Sequence, residues 1–180
     1  MPGKIDISVI VAAYQAAGTI ERTLASIAAQ TLKPREVVVV DDGSTDGTFD
    51  TAKALGPDMN GIELLVFRTE ANQGAGAARN RAIMESTGTV LAFLDADDEW
   101  LPEKLDRSMS HFQKGEYVLV AHDYWTGDGE MARHHNCEKR FKESGDPFAG
   151  LYRKGYIPSC SVVARRDAVL VAGGFDVNLR

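Results

Sequence analysis

The fold is decided by the stretch from Glu36 to Thr48, which reads EVVVVDDGSTDGT. Its first part holds the valine run Val37–Val40, and a β-branched run of this kind favours a strand that is buried on both faces. Its second part is a cluster of Asp, Gly, Ser and Thr, which are residues of tight turns and helix N-termini. A buried strand that ends in a polar turn and leads into a short helix is typical of a βαβ unit.

The same alternation of strand and helix extends over the first half of the chain. Strands are predicted at residues 5–12, 37–40, 62–67 and 89–94. Amphipathic helices are predicted around residues 20–28, 48–55, 75–86 and 101–112. This order predicts right-handed βαβ units, and therefore an α/β fold with a mostly parallel central sheet flanked by helices.

The second half of the chain has a looser pattern. One strand is predicted at residues 117–123, a turn at 126–129 and a last short strand at 159–165, whereas residues 133–144 are polar without a clear period. No repeat or linker divides the chain, so its 180 residues predict one domain over residues 1–180.

Composition excludes several classes of function. Lys and Arg number 20 and Asp and Glu 26, so the net charge is −6, which argues against a nucleic-acid partner bound by a general basic field. No apolar run is long enough to cross a bilayer, and the first residues do not resemble a signal peptide. Cys137 and Cys160 fit no CxxC spacing, which favours reduced thiols and a cytoplasmic location.

Acidic residues follow two of the predicted strands. Asp41 and Asp42 end one strand, and Asp95, Asp97 and Asp98 follow another. Ligands of open parallel sheets bind outside the carboxyl ends of the strands, so both clusters are expected in one crevice. Two carboxylates about 4 Å apart repel by about 4 kcal/mol at an effective dielectric constant of about 20, and a cation relieves this repulsion. Mg²⁺ or Mn²⁺ bound together with phosphate is therefore favoured over a solvated acidic turn that caps the next helix.

Two further segments carry candidate ligands. Asp42 is suited to accept an N–H from a nucleobase edge, while Thr45 and Asp46 are suited to cap the following helix. The segment NQGAGAAR, residues 72–79, imitates a dinucleotide fingerprint, but Arg79 stands where its last glycine belongs. We interpret this segment as a helix start of small residues with Arg79 directed at a pyrophosphate.

The histidines give weaker signals. His134, His135 and Cys137 lie close together in a polar stretch that is more typical of a solvated surface than of a metal site. His122 ends the predicted fifth strand and is a candidate for the crevice.

Four of these motifs together resemble family 2 glycosyltransferases. The segments are ISVIVAAY at residues 7–14, EVVVVDDGSTDGT at 36–48, NQGAGAARNR at 72–81 and FLDADDEW at 93–100. They occur in the order and spacing of that family. The resemblance is dense up to Trp100 and thin beyond it until the GGFD sequence at residues 173–176.

The resemblance implies a GT-A fold and an inverting transferase that uses a nucleotide-diphosphate sugar, with a UDP-sugar favoured, and a divalent cation. Residues 1–100 would form the nucleotide-binding half and residues 101–180 an incomplete acceptor-side half. The resemblance also implies a role for eight residues: three border the nucleobase, one binds the edge of the base, one lies near the nucleotide, and three acidic residues contact the ribose or the metal ion. These are, in that order, Ala12, Ala13 and Tyr14; Asp42; Arg79; and Asp95 (ribose or metal), Asp97 (metal) and Asp98 (alternative metal ligand).

In the family an acidic pair that contains the general base follows GGFD, so the base is expected beyond Arg180. The chain is accordingly expected to be C-terminally truncated, to bind donor and to transfer sugar poorly. A saccharide or lipid-linked acceptor, bacterial cell-envelope polysaccharide synthesis, and peripheral association with the inner face of the membrane are the family expectations.

Two other functions stay open at this point. A non-catalytic nucleotide-sugar-binding module fits the missing base. A sugar nucleotidyltransferase fits the fold, but it needs a glycine-rich basic loop where residues 12–17 read AAYQAA.

Overall fold

The computed structural model describes residues 6–114, 117–127, 129–146, 149–151, 155 and 157–178. Arg180, beyond which the general base is expected, lies outside these residues. The strands are β1 (Ile7–Ala13), β2 (Glu36–Asp41), β3 (Glu63–Arg68), β4 (Val90–Asp95), β5 (Leu119–Ala121), β6 (Tyr124–Thr126), β7 (Arg133–His135) and β8 (Val162–Arg165). The α-helices are α1 (Ile20–Ala28), α2 (Thr48–Ala54), α3 (Ala75–Glu85), α4 (Lys104–Lys114), α5 (Cys137–Glu143) and α6 (Arg166–Val171).

A six-stranded sheet with the order β3-β2-β1-β4-β8-β5 forms the centre of the fold. The ladders that join β3, β2, β1 and β4 are parallel, while β8 runs antiparallel to both β4 and β5. The predicted mixed α/β class with a mostly parallel sheet is therefore confirmed. After β3 the chain crosses to the other side of β1 to form β4, which makes the β1–β4 boundary the topological switch point where ligands of such sheets bind.

Helices cover both faces of the sheet because its central strands are apolar on both sides. Val37–Val40 are completely buried, as the valine run predicts. Alternate residues of these strands point to opposite faces. One face packs against α1 and α4 through Leu24 and Leu105, and the other packs against α3 through Ala78.

The second half of the chain differs from its prediction in three places. The strand expected at 117–123 ends at Ala121, and the next residues form a separate β6–β7 hairpin. The polar stretch without a clear period contains α5, because the Asn136 side chain accepts a hydrogen bond from the Lys139 amide at 2.6 Å and caps the helix. Residues 159–161 form a 3-10 turn that precedes β8.

Candidate active site

The sheet register brings the predicted strand-end residues together at the switch point. Ala12 of β1 pairs with Asp95 of β4, and Ala13 of β1 pairs with Asp41 of β2. The carboxyl ends of three neighbouring strands therefore meet at one edge. The acidic turn, defined here as residues 95–99, leaves the sheet at this edge.

Helix α1 holds the backbone of the acidic turn. The Thr19 hydroxyl donates to the Ala96 carbonyl at 2.8 Å, and the buried Thr23 hydroxyl donates to the carbonyls of Ala96 and Asp98 at 3.0 and 2.9 Å. Arg22 Nη2 donates to the Asp97 carbonyl at 2.9 Å. Sequence reasoning missed these residues, although two threonines four positions apart on a core-facing helix are a readable signal for a buried polar contact.

Asp95 is bound from two sides. Arg79 Nη2 forms a close ion pair with Asp95 Oδ1, and the Ser159 hydroxyl donates to Asp95 Oδ2 at 3.0 Å. Arg79 Nη2 also donates to Ser159 Oγ at 3.0 Å, so the three side chains form a closed triangle. The structure thus places Arg79 at the acidic turn and adds Ser159, which no sequence signal indicated.

Asp97 and Asp98 differ in environment although they are adjacent. Asp97 is exposed, and no side chain or amide in the described part of the chain donates a hydrogen bond to its carboxylate. Asp98 is half-buried; burial raises the pKa of its carboxyl, and the negative charges of Asp95 and Asp97 add to this against the opposing effect of the neighbouring Cys160 thiol. A carboxyl with a raised pKa in a strand-end crevice is typical of a functional site.

The donor set of the acidic turn fits a hard divalent cation that is completed by phosphate. Among the described residues no three or more His, Cys, Asp or Glu side chains are placed to hold a metal ion by themselves. Mg²⁺ and Mn²⁺ typically take one or two carboxylates together with substrate phosphates and water. Asp97 is free for such a role, whereas Asp95 already has the Arg79 guanidinium as its cation.

Asp42 is used by the loop that precedes α3. Its buried carboxylate accepts hydrogen bonds from the amides of Gln73, at 3.0 Å, and Gly74, at 2.7 Å, and from the Thr69 hydroxyl at 3.0 Å. The structure therefore shows Asp42 fixing the 72–74 loop at the edge of the crevice. Its role at a nucleobase edge stays a prediction.

The loop after β1 is pinned to the loop after β2. Gln15 adopts a positive φ of 50°, its amide donates to Ser44 Oγ at 2.9 Å, and its side-chain oxygen accepts from the Thr45 amide at 3.0 Å. Thr45 therefore joins the two loops, and Asp46 accepts from the first amide of α2, that of Thr48, at 3.0 Å. This arrangement leaves the Tyr14 side chain 53% exposed beside the crevice.

No hydrogen bond or ion pair among the described residues joins His122, His134 or His135 to the acidic turn. His122 is half-buried, with Nδ1 2.7 Å from the carbonyl oxygen of Asp123. His134 pairs with the Asp123 carboxylate at 3.0 Å. Within the described ranges His134, His135 and Cys137 form no metal cluster.

This chain is similar to known glycosyltransferases. Glycosyltransferase AglE of Haloferax volcanii is 38% identical over 180 residues, which cover 96% of this chain and 57% of AglE. The Escherichia coli UDP-Glc:alpha-D-GlcNAc-diphosphoundecaprenol beta-1,3-glucosyltransferase WfaP is 34% identical over 116 residues, which cover 64% of this chain and 44% of WfaP. S. aureus TarS 1–349, in its crystal structure with UDP, is similar with a TM-score of 0.76 and 26% identity, over 97% of this chain and 51% of that one.

The chain therefore spans about half the length of these relatives. The model of the family described as Glycosyl transferase family 2 matches residues 8–170, which include all of β1 except Ile7, the strands β2 to β8, and α1 to α5. The match begins in β1 and contains both the crevice and the acidic turn. The chain belongs to glycosyl transferase family 2.

Proposed function

We propose that this chain binds a nucleotide-diphosphate sugar, with a UDP-sugar favoured, and that the whole protein transfers the sugar with inversion to a hydroxyl of a saccharide or lipid-linked acceptor. The observation that carries the proposal is the acidic turn at the β1–β4 switch point, where the unpartnered Asp97 lies two residues from the Arg79–Asp95 ion pair. The names of WfaP and of the TarS complex with UDP support a uridine nucleotide.

Different residues of the crevice would contact different parts of the donor. Tyr14, together with Ala12 and Ala13, would border the base, and Asp42 would meet its edge. Asp97 would hold the divalent cation, Mg²⁺ or Mn²⁺, with Asp95 and Asp98 next to it. A bound cation supplies charge neutralisation for the departing diphosphate.

Acceptor activation completes the proposed reaction. The acceptor hydroxyl displaces the nucleoside diphosphate at the anomeric carbon, and its proton goes to a general base, which typically contributes about 10²- to 10⁴-fold in rate. We place this base after the GGFD sequence of residues 173–176 in the whole protein, as the family resemblance implies.

A non-catalytic nucleotide-sugar-binding module is the second candidate. It shares every donor contact and differs only in turnover. Membership of a transferase family favours the enzyme. The nucleotidyltransferase alternative is disfavoured, because the loop after β1 carries no basic residue or glycine in residues 12–17.

Cell-envelope polysaccharide synthesis is the biological setting we propose, at the cytoplasmic face of the membrane. No helix in the described part of the chain has the length and apolar character of a membrane span. We propose that the association with a lipid-linked acceptor is peripheral.

Isothermal titration of UDP, with and without Mn²⁺, tests the proposal. We expect Mn²⁺ to tighten UDP binding to the wild-type chain, and Asp97→Asn to remove that tightening. Glu99→Gln is the matched control, since Glu99 is an exposed carboxylate of the same turn that pairs with Arg22 at 3.6 Å. Mn²⁺-dependent UDP binding that is unchanged in Asp97→Asn, or lost equally in Glu99→Gln, would contradict the assignment.

A further inference from the structure

Residues 173–176, called here the GGFD segment, are hydrogen-bonded to α3 through the Asn80 side chain. Asn80 Nδ2 donates to the Phe175 carbonyl at 2.8 Å, and the Phe175 amide donates to Asn80 Oδ1 at 2.8 Å. One amide group thus satisfies both backbone polar groups of Phe175. Because the partners are 95 residues apart in the chain, this pair fixes the segment in space.

A glycine makes this docking sterically feasible. Gly174 has a φ of +72°, and a Cβ atom there would lie 2.5 Å from Asn80 Oδ1. Any side chain at position 174 would therefore push the Asn80 amide away and also strain the backbone. Gly76 of α3 also faces the segment, but a Cβ there would lie 3.4 Å from the Asp176 carbonyl oxygen, which is an ordinary contact, so the docking requires glycine at position 174 and not at position 76.

The Phe175 ring lies under Arg79. The guanidinium carbon of Arg79 is 5.2 Å from the centre of the ring, and the ring also contacts Phe93 of β4 edge-on, with the centroids 5.4 Å apart. A planar guanidinium on an aromatic face keeps its orientation because it gains both cation–π attraction and stacking. Nη2 of the same guanidinium pairs with Asp95 in the acidic turn.

We propose that Phe175 and Asn80 are positioning residues: the docked GGFD segment holds the Arg79 guanidinium against Asp95 and so sets the affinity of the acidic turn for a nucleoside diphosphate with its cation. This inference rests on the proposed function. It assigns to the GGFD segment a role in donor binding on the nucleotide-binding side of the sheet, through contacts to α3 that involve no acceptor.

The two observations on which the proposal depends are independent. The Asn80 amide fixes the backbone of Phe175, and the ring contact fixes Arg79. Removal of either leaves Arg79 with Asp95 and Ser159 as partners but without the surface that limits its rotation. The carboxylate of Asp95 would then be held in less defined geometry when the diphosphate arrives.

A double-mutant cycle on UDP affinity in the presence of Mn²⁺ tests the proposal. Phe175→Leu keeps an apolar contact with Phe93 but removes the aromatic face, and we expect it to weaken UDP binding by about 3- to 30-fold. Phe175→Tyr keeps the face and should restore binding. In an Arg79→Gln background, Phe175→Leu should have no further effect, because the ring acts through the guanidinium. Val177→Ala, at a 49% exposed position next to the segment, is the control and should bind like wild type.

Thermal unfolding of the same variants separates positioning from folding. A purely structural role for Phe175 predicts a lower melting temperature together with an equal loss of UDP affinity in both backgrounds, and that result would overturn the proposal. If Phe175→Leu does not fold, Asn80→Ala replaces it in the same cycle with the same expectation. Wild-type UDP binding that is absent altogether rejects the proposed function, whereas wild-type binding that is unaltered in Phe175→Leu and Asn80→Ala rejects only this inference.

Discussion

The side-chain nitrogen of Lys104 lies 3.7 Å from the centre of the ring of Trp100, the residue that follows the acidic turn. Lys104 is only 7% exposed, and its nitrogen has no hydrogen-bond partner among the described residues. Burial lowers the pKa of Lys104 well below its ordinary value, against a smaller opposing effect of Cys160. A buried amine without a hydrogen-bond acceptor costs folding free energy, because water solvates it fully in the unfolded chain.

Lys104→Met should therefore stabilise the protein. Methionine fills a similar volume without a polar nitrogen, and we expect the free energy of unfolding at pH 7 to rise by about 1–3 kcal/mol. Urea denaturation measures this directly. A less stable variant would show that the amine has a favourable partner that outweighs its desolvation.

The pH dependence of the free energy of unfolding, compared between wild type and Lys104→Met, provides a second test. Because the folded-state pKa of Lys104 is lowered, the unfolded chain binds more protons. Wild-type stability should then rise with pH from the lowered folded pKa up to the ordinary lysine pKa of about 10.4. The Lys104→Met variant should lack this rise, so its advantage should be smaller at pH 9.5 than at pH 7.

Asp98→Asn should also stabilise the folded state at neutral pH. Burial and the charges of Asp95 and Asp97 raise the pKa of the Asp98 carboxyl, so its ionised form is disfavoured in the folded protein. Wild-type stability therefore falls as the pH rises from the ordinary aspartate pKa through the raised one. We expect the variant to be more stable than wild type at pH 7 and to gain nothing at pH 3. Urea denaturation at the two pH values distinguishes this from a gain that is independent of pH.

Glu36→Gln should destabilise the opposite edge of the sheet. The Glu36 carboxylate is 1% exposed and accepts hydrogen bonds from the Ser8 hydroxyl and the Thr87 amide, each at 2.6 Å. Burial acts to raise the pKa of Glu36, but these hydrogen bonds outweigh it and lower the pKa overall. Replacement of the charge should cost about 1.5–3 kcal/mol at pH 7.

The cost of Glu36→Gln should shrink in acid. The stabilisation by a carboxylate with a lowered pKa is complete above the ordinary glutamate pKa and is lost as the pH falls through the folded one. Glu63→Gln is the control. Glu63 is exposed and lies opposite Glu36 in the register of the neighbouring strand β3. An equal effect of both variants would contradict a specific role of the buried carboxylate.

Gly43→Ala should lower the free energy of unfolding and also alter the shape of the crevice. Gly43 has a φ of +72°, and a Cβ atom there would lie 2.8 Å from the Ala71 carbonyl carbon. The backbone must shift, so we expect a loss of about 1–3 kcal/mol and weaker UDP binding. Gly56→Ala is the control, because nothing lies within 4 Å of a Cβ at that position. Unfolding and UDP titrations of both variants decide the matter.

Local sequence patterns predict the first half of the fold well. The valine run of β2 and the helical spacing in α1 are local signals, and β1, β3, α3 and β4 all fall within about two residues of their predicted positions. The hairpin of β6 and β7 and helix α6 were not predicted, because short elements depend on packing more than on periodicity.

In the candidate site, too, some residues can be predicted from the sequence and others cannot. Acidic strand ends and Arg79 are visible in the sequence, because strand order alone brings carboxyl ends to one edge. The partners of those residues are not visible. Ser159 reaches Asp95 from 64 residues away, and Asn80 reaches Phe175 from 95 residues away.

Periodicity and motifs a few residues long are enough to predict the α/β class, the family resemblance and the position of the acidic turn. Three further features exist only in the folded chain: Asp42 is bound by the 72–74 loop, Lys104 is buried without a hydrogen-bond partner among the described residues, and Phe175 lies under Arg79. Each of these is a contact between distant segments. Such contacts form only when strand crossover and helix packing bring the segments within a few ångströms of each other, and no local pattern encodes that distance.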